Sequence, residues 1–191
     1  MTITKKIGLI ALLTSFSWGA QAGNFDYNYG QIGYETGDYE GLTLTGSFEI
    51  NKDMFVIARY VALTNTINVL GLNVDLDFDE MSVGAGYHMP IDKKTDAVFT
   101  VSFDSAEVST VVLGTKITAD DTGILLTAGV RHNLNAKLEL AGGIYHVTTN
   151  DGDTGIQGEV RYNIDNKMSA GLSYISGDFQ DGLGLNFRVD F

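Results

Sequence analysis

Gly182-Leu183-Gly184-Leu185-Asn186-Phe187-Arg188-Val189-Asp190-Phe191 closes the chain, and its reading decides the fold. Apolar side chains occupy positions 183, 185, 187, 189 and 191, with small, polar or charged residues between them. A period of two puts these five on one face of a strand. A soluble sheet could alternate in the same way, but it would seldom stop on an aromatic residue with no tail. The pattern therefore asks what stands at the other end of the chain.

There, Lys5 and Lys6 precede an apolar run from Ile7 to Phe16, and Ala20-Gln21-Ala22 follows with the small residues of a signal-peptidase site. The run is too short for a membrane-spanning helix, which needs about 20 apolar residues. The expected organisation is a cleaved secretory signal peptide over 1–22 and a single domain over 23–191. Removing the signal takes two lysines from the 12 basic residues and none of the 24 acidic ones, so the net charge moves from −12 to −14. Nucleic acid is then a poor partner, because backbone binding needs a basic face. With no cysteine, disulfides and thiolate metal sites are excluded. The mature part has no apolar run long enough for a spanning helix, so membrane insertion would require a barrel.

Working back from the C-terminus, alternating segments recur along the whole chain. Leu42 to Ile50 sets Leu42, Leu44, Gly46, Phe48 and Ile50 against Thr43, Thr45, Ser47 and Glu49. Ala97 to Ser105 and Glu80 to Met89 repeat the pattern, as do Ile124 to Arg131, Leu138 to Tyr145, Ile156 to Asn163 and Met168 to Ser176. Met54 to Leu63 is apolar on both sides except at Arg59, and Phe25 to Glu35 is aromatic-rich with no clear phase. Segments of about 9–11 residues suit tilted strands crossing hydrocarbon. Tight polar connections at 51–53, 133–136 and 165–167, and a slightly longer one at 90–96, alternate with acidic links at 36–41, 64–77, 107–122, 149–154 and 177–181. Short turns belong to the periplasm and longer loops to the outside. The expected fold is all-β: an antiparallel up-and-down transmembrane β-barrel of ten strands, or eight if weak segments fuse, with both termini periplasmic.

Charge placement fits this register. Arg59, Arg131, Arg161 and Arg188 all fall on strands away from the apolar face, and Lys52, Lys93, Lys94, Lys137 and Lys167 lie in or beside the short turns. No charged residue falls on the apolar face of these segments, where one would cost about 2–4 kcal/mol at the membrane midplane. A soluble sandwich has no reason to sort its cations in this way.

The chain resembles the small bacterial outer-membrane β-barrel proteins of the OmpA/OmpX type, a porin-like family. The resemblance rests on the signal pattern, the repeated strands, the Gly86-Tyr87 and Ala128-Gly129-Val130-Arg131 strand ends and the terminal Leu185-x-Phe187-x-Val189-x-Phe191. It implies an outer-membrane location after export through the periplasm. It also implies that Leu185, Phe187, Val189 and Phe191 form the signal read by the barrel-assembly machinery.

Inward-facing positions supply a lumen charge network of Glu49, Arg59, Glu80, Asp104, Arg131, Glu139, Glu159, Arg161, Arg188 and Asp190. Arg131 and Glu139 are equidistant from Asn135, so a symmetric hairpin would set them opposite each other. Opposite charges in a narrow lumen should pair, because a buried unmatched charge is strongly unfavourable. The expected function is a non-enzymatic barrel with a charge-plugged lumen and acidic external loops, structural or interaction-mediating. The alternative is a narrow channel passing small solutes. The links carry Glu35, Asp38, Glu40, Asp75, Asp77, Asp79, Glu107, Asp120, Asp121, Asp151, Asp153, Asp178 and Asp181, with Lys116 the only base. Such loops would meet lipopolysaccharide and outer-membrane lipids, bridged by hard divalent cations. Asn150-Asp151-Gly152-Asp153 reads as a turn, lacking the spaced ligands of a calcium loop. No cofactor or metal is expected. His146-x-Thr148 resembles the His-x-Ser of outer-membrane lipid A deacylases, but threonine stands in the nucleophile's place and no acidic partner is evident, so no catalytic residue is assigned.

Overall fold

The computed structural model describes residues 19–21, 24–69, 71–112, 114–149, 152–177 and 181–191. Ten strands form the barrel: β1 (Tyr29–Gly37), β2 (Glu40–Asn51), β3 (Met54–Val69), β4 (Leu72–Asp92), β5 (Thr95–Val112), β6 (Thr115–Asn133), β7 (Leu138–Val147), β8 (Asp153–Asn163), β9 (Met168–Ser176) and β10 (Asp181–Asp190). Each pairs antiparallel with its sequence neighbours, and β10 closes the sheet on β1 from Gly182↔Gly37 to Asp190↔Tyr29. The ten-strand closed barrel expected from the alternation is therefore what forms. Closure leaves the membrane-embedded sheet without an edge, so its backbone groups find partners within the ladder. Gly19–Gln21 pairs with Asn24–Asp26 as a short two-stranded sheet separate from the barrel sheet. The remainder of the expected signal peptide lies outside the described residues.

The start of β1, the end of β10 and the four short connections share one end, called the turn end here. Each connection is organised by an Asn or Asp whose side chain accepts the N–H two residues on, which replaces the missing ladder partner. Asn51 Oδ1 accepts from Asp53 N at 3.0 Å, Asp92 Oδ1 from Lys94 N at 2.7 Å, and Asn135 Oδ1 from Lys137 N at 2.8 Å. Asp165 Oδ1 accepts from Lys167 N and Met168 N, both at 2.8 Å, and these N–H groups hold its carboxyl below the usual range.

At the opposite, hairpin end the structure departs from expectation. Links 64–77 and 107–122 are not loops. β3 to β6 run on as a four-stranded wall above the rest of the barrel, closed by connections at 70–71 and 113–114 in which Gly71 and Gly114 take positive φ. The alternation continues in these segments, but its chemistry inverts. Just below Arg59, Glu80 and Asp104, outward residues such as Val56, Val83 and Val101 are apolar and inward ones such as Ser82 and Ser102 polar. Above them Val61, Leu63, Phe78, Ala106 and Val108 point inward, while Thr64, Asp75, Asp77 and Asp79 sit on exposed positions. The same pleat thus serves lipid outside below the switch and water outside above it. Tyr60 Oη donates to Asp79 Oδ1 at 2.6 Å at this boundary, as an interfacial aromatic should. A search for outward apolar residues stops at the inversion, which is why these segments read as loops.

Candidate functional site: the barrel interior

Alternation lifts every second side chain of each strand into the lumen, so the interior is built in layers. At the turn end the chain before β1 enters the mouth. Phe25, Tyr27, Phe55 and Val98 pack as one apolar cluster, with Tyr27 stacked between Phe55 and His88 at ring-centroid distances of 4.7 and 4.1 Å. The Phe55 ring occupies space that a Cβ on Gly86 would fill.

Above this cluster lies a layer of three arginines, Arg131, Arg161 and Arg188, with exposures of 0%, 1% and 0%. Arg131 Nε donates to Glu139 Oε1 at 2.9 Å, and its guanidinium lies 4.1 Å over the Phe25 ring. Arg161 Nη2 pairs with Glu159 Oε1 and donates to Gln31 Oε1 at 3.0 Å and Asn186 Oδ1 at 2.8 Å, while Nη1 donates to Ser169 Oγ at 3.0 Å. Arg188 donates from Nη2 to the same Gln31 oxygen at 3.1 Å and sits 3.8 Å over the Tyr29 ring. Gln31 therefore clamps two guanidinium groups that would otherwise repel. These are charge-assisted bonds in a buried site, the strong class of hydrogen bond.

Nearer the hairpin end Arg59 is the one cation among the described lumen residues. Its Nη1 lies 3.2 Å from Glu80 Oε1, and both groups are buried. Glu35 and Asp104, also buried, face the same guanidinium field. An apolar layer of Val61, Leu63, Phe78, Ala106, Val108, Leu125, Tyr145, Val147 and Ile175 covers this level, with Tyr39 packed against it.

All ten residues expected in the lumen lie on inward positions, eight of them buried and Glu49 and Asp190 half-buried near the turn end. Glu49 is drawn to the N-terminal segment, its Oε2 accepting from Asn28 Nδ2 at 3.3 Å. Arg131 and Glu139 meet, although not as direct partners: Asn133 opposes Glu139 and Arg131 opposes Ala141, so the ion pair is diagonal. The Asn135 side chain caps Lys137 and Leu138, which moves the turn's centre one residue beyond the symmetric guess.

Two residues assigned to external links are corrected. Glu35 lies in the lumen on β1, and Asp153 is buried where Tyr145 Oη donates to its Oδ2 at 3.1 Å. Asp151 and Asp178 lie outside the described residues. Gln31 and Asn186 escaped the sequence reading because neutral side chains carry no charge signal. The parity of Gln31 and Glu35 was nevertheless available once Ile32 and Tyr34 were taken as outward. His146 Nδ1 meets Thr154 Oγ1 at 2.8 Å and Thr148 Oγ1 accepts from Ile124 N at 2.9 Å, so both members of the His-x-Thr pair serve strand ends. Leu185, Phe187, Val189 and Phe191 are all exposed on the outer surface.

The family model described as "Outer membrane protein beta-barrel domain" matches residues 8–187. No curated protein matches. Among solved structures, Neisserial surface protein A is similar at 13% identity and TM-score 0.50, covering 85% of this chain and 96% of that one. The NanC porin is similar at 11% identity and TM-score 0.50, covering 85% and 98%. Ail, the attachment invasion locus protein of Yersinia pestis, follows at 15% identity and TM-score 0.42, covering 86% and 95%. At such identities the first two structures speak for the fold alone, while the family match extends over nearly the whole sequence: the chain belongs to the outer-membrane β-barrel family and is an outer-membrane protein.

Proposed function

We propose that this protein is a non-enzymatic outer-membrane barrel with a closed lumen, acting through the wall that β3 to β6 raise above the membrane. The observation that carries the reading is the stacking of four filled layers across the interior: aromatic cap, arginine network, Arg59 level and apolar cap. A barrel of about this strand number is just wide enough for side chains to fill. The wall supplies an interaction surface. β2 accompanies β3 only as far as Glu40↔Thr64, and β7 meets β6 only from Leu125↔Val147, so 65–69 and 115–123 present edges without a strand partner among the described residues. Unpaired edges are templates for binding.

On its outer surface Asp79 opposes Glu107, and Glu107 opposes Asp120. Like charges directly opposite each other are unfavourable, and Lys116 relieves only Glu107, at 3.3 Å. Divalent cations bridging this row to lipopolysaccharide phosphates would relieve the rest. During biogenesis Leu185, Phe187, Val189 and Phe191 would present the strand read by the assembly machinery.

Planar-bilayer recording on purified, refolded protein tests the closed lumen. A silent bilayer is the expected result. Reproducible unit conductance steps would replace this reading with a narrow solute channel, the activity that the name of the NanC porin indicates for that protein.

A further inference from the structure

At the turn end a groove of about 660 Å³ runs along the β8–β9 turn, from Lys137 just before β7 to Val189 near the end of β10. Its lining divides by chemistry. Ile164, Met168 and Val189 are apolar and each between 38% and 45% exposed. Met168 and Val189 are direct ladder partners, and Val189 belongs to the outward set of β10, so this side continues the lipid-facing surface. Lys137, Asn166 and Lys167 supply the polar side.

The two lysines are held in place from several directions. Their carbonyls accept from Asn163 N at 2.9 Å and from Asp190 N at 2.8 Å, which pins both residues to the ends of β8 and β10. The Lys137 side chain folds across to the next turn. Its Nζ donates to Ile164 O at 3.0 Å and stands 5.8 Å from the centre of the exposed Tyr162 ring. An ammonium carries three donors, so two remain for a ligand. The groove's one carboxylate, Asp165, spends Oδ1 on its own turn, accepting from Lys167 N and Met168 N. Two cations against one carboxylate leave the groove positive in a chain of net charge −12.

A soluble anion would use the lysines and leave the apolar side without a partner. An amphiphile with an anionic head uses both. The short-turn end of such a barrel faces the periplasm, so the groove opens where the glycerophospholipid headgroups of the periplasmic leaflet lie. We propose that it binds an anionic glycerophospholipid. The ammonium groups of Lys137 and Lys167 hold the phosphate as point charges, and an acyl chain lies along Ile164, Met168 and Val189. A zwitterionic head would bring a further ammonium up to two lysines, which disfavours it. The inference is independent of whether the lumen conducts.

Native mass spectrometry of the purified, refolded protein in a non-ionic detergent tests it, with dimyristoyl phosphatidylglycerol as the probe. Phosphatidylcholine with the same acyl chains and inorganic phosphate are the comparisons. A saturable adduct of one phosphatidylglycerol is expected, stronger than that of phosphatidylcholine and not displaced by inorganic phosphate. Lys137→Ala and Lys167→Ala, both at exposed positions, should each weaken it about fivefold. Replacing Lys93 and Lys94 together by alanine removes charge from another turn and should leave the adduct intact. The temperature of the heat-induced gel shift should stay unchanged in all three variants, which separates binding from folding. Absence of a saturable adduct, equal binding of the two lipids, displacement by phosphate or an equal loss in the Lys93 and Lys94 variant would each overturn the proposal.

Discussion

The two halves of the lumen use the same residue types to opposite effect. In the arginine layer toward the turn end, Arg131, Arg161 and Arg188 stand with Glu139, Glu159 and Asp190, three cations to three carboxylates, and Gln31, Asn186 and Ser169 supply further acceptors. Near the hairpin end, Arg59 alone stands with Glu35, Glu80 and Asp104, and negative charge is in surplus. Carboxylate oxygens with no hydrogen-bond partner occur in both halves, Glu35 Oε2, Glu80 Oε2 and both of Asp104 at this level and Glu139 Oε2, Glu159 Oε2 and Asp190 Oδ1 toward the turn end, so the contrast lies in the ratio of cations to carboxylates. A balanced, multiply bonded network stabilises because each member completes another's bonding. A surplus of buried like charge costs stability that other contacts must offset. The difference teaches that the turn-end half fastens the barrel, whereas the Arg59 level is held in place by the apolar layer above it.

The largest expected effect follows from breaking the balanced half. Arg161→Ala strips Glu159, Gln31, Asn186 and Ser169 of a shared donor at once. Loss of one partner from a buried pair costs about 3–5 kcal/mol. The unfolding midpoint in urea should fall accordingly, and a change under 1 kcal/mol would mean that the network is incidental.

Next comes the inversion along the long strands. Val101→Arg puts a charge on the outward face within the apolar band and should cost about 2–4 kcal/mol. Asp77→Arg, on the outward face of the wall, should cost nothing measurable. Equal penalties from the two would place the membrane boundary elsewhere.

A smaller effect of opposite sign is expected from the acidic half. Glu35→Gln removes one surplus negative charge and keeps the side chain's shape. Stability should hold or rise by up to about 1 kcal/mol, since the amide fills the same space without placing a charge in a buried site. A clear loss would show that Glu35 is needed as an anion and would erase the contrast between the halves.

Much of this was legible in the sequence, and what was missed has physical causes. Strand number, closure and the inward set from Arg59 to Asp190 followed from a period of two, which fixes faces without knowledge of partners. Glu35 was misplaced because Tyr27, Tyr29 and Tyr34 blur the phase of the first segment: an aromatic residue suits lipid, interface and lumen alike. The wall was missed because Asp75, Asp77 and Asp79 look like loop residues until Val74, Leu76 and Phe78 are seen to alternate with them. Gln31 had no signal of its own, since its importance comes from β1 and β10 meeting at barrel closure, a contact spanning 157 residues of sequence.

The closed interior can be tested most directly with a single reporter thiol, because the chain has no cysteine of its own. Ser102 points into the lumen between the two charged levels and is buried. In the folded barrel, Ser102→Cys should resist a water-soluble maleimide and react fully after boiling, while Asn166→Cys in an exposed turn reacts at once. Labelling of Ser102→Cys at the rate of the turn control would show a water-filled passage and contradict the account.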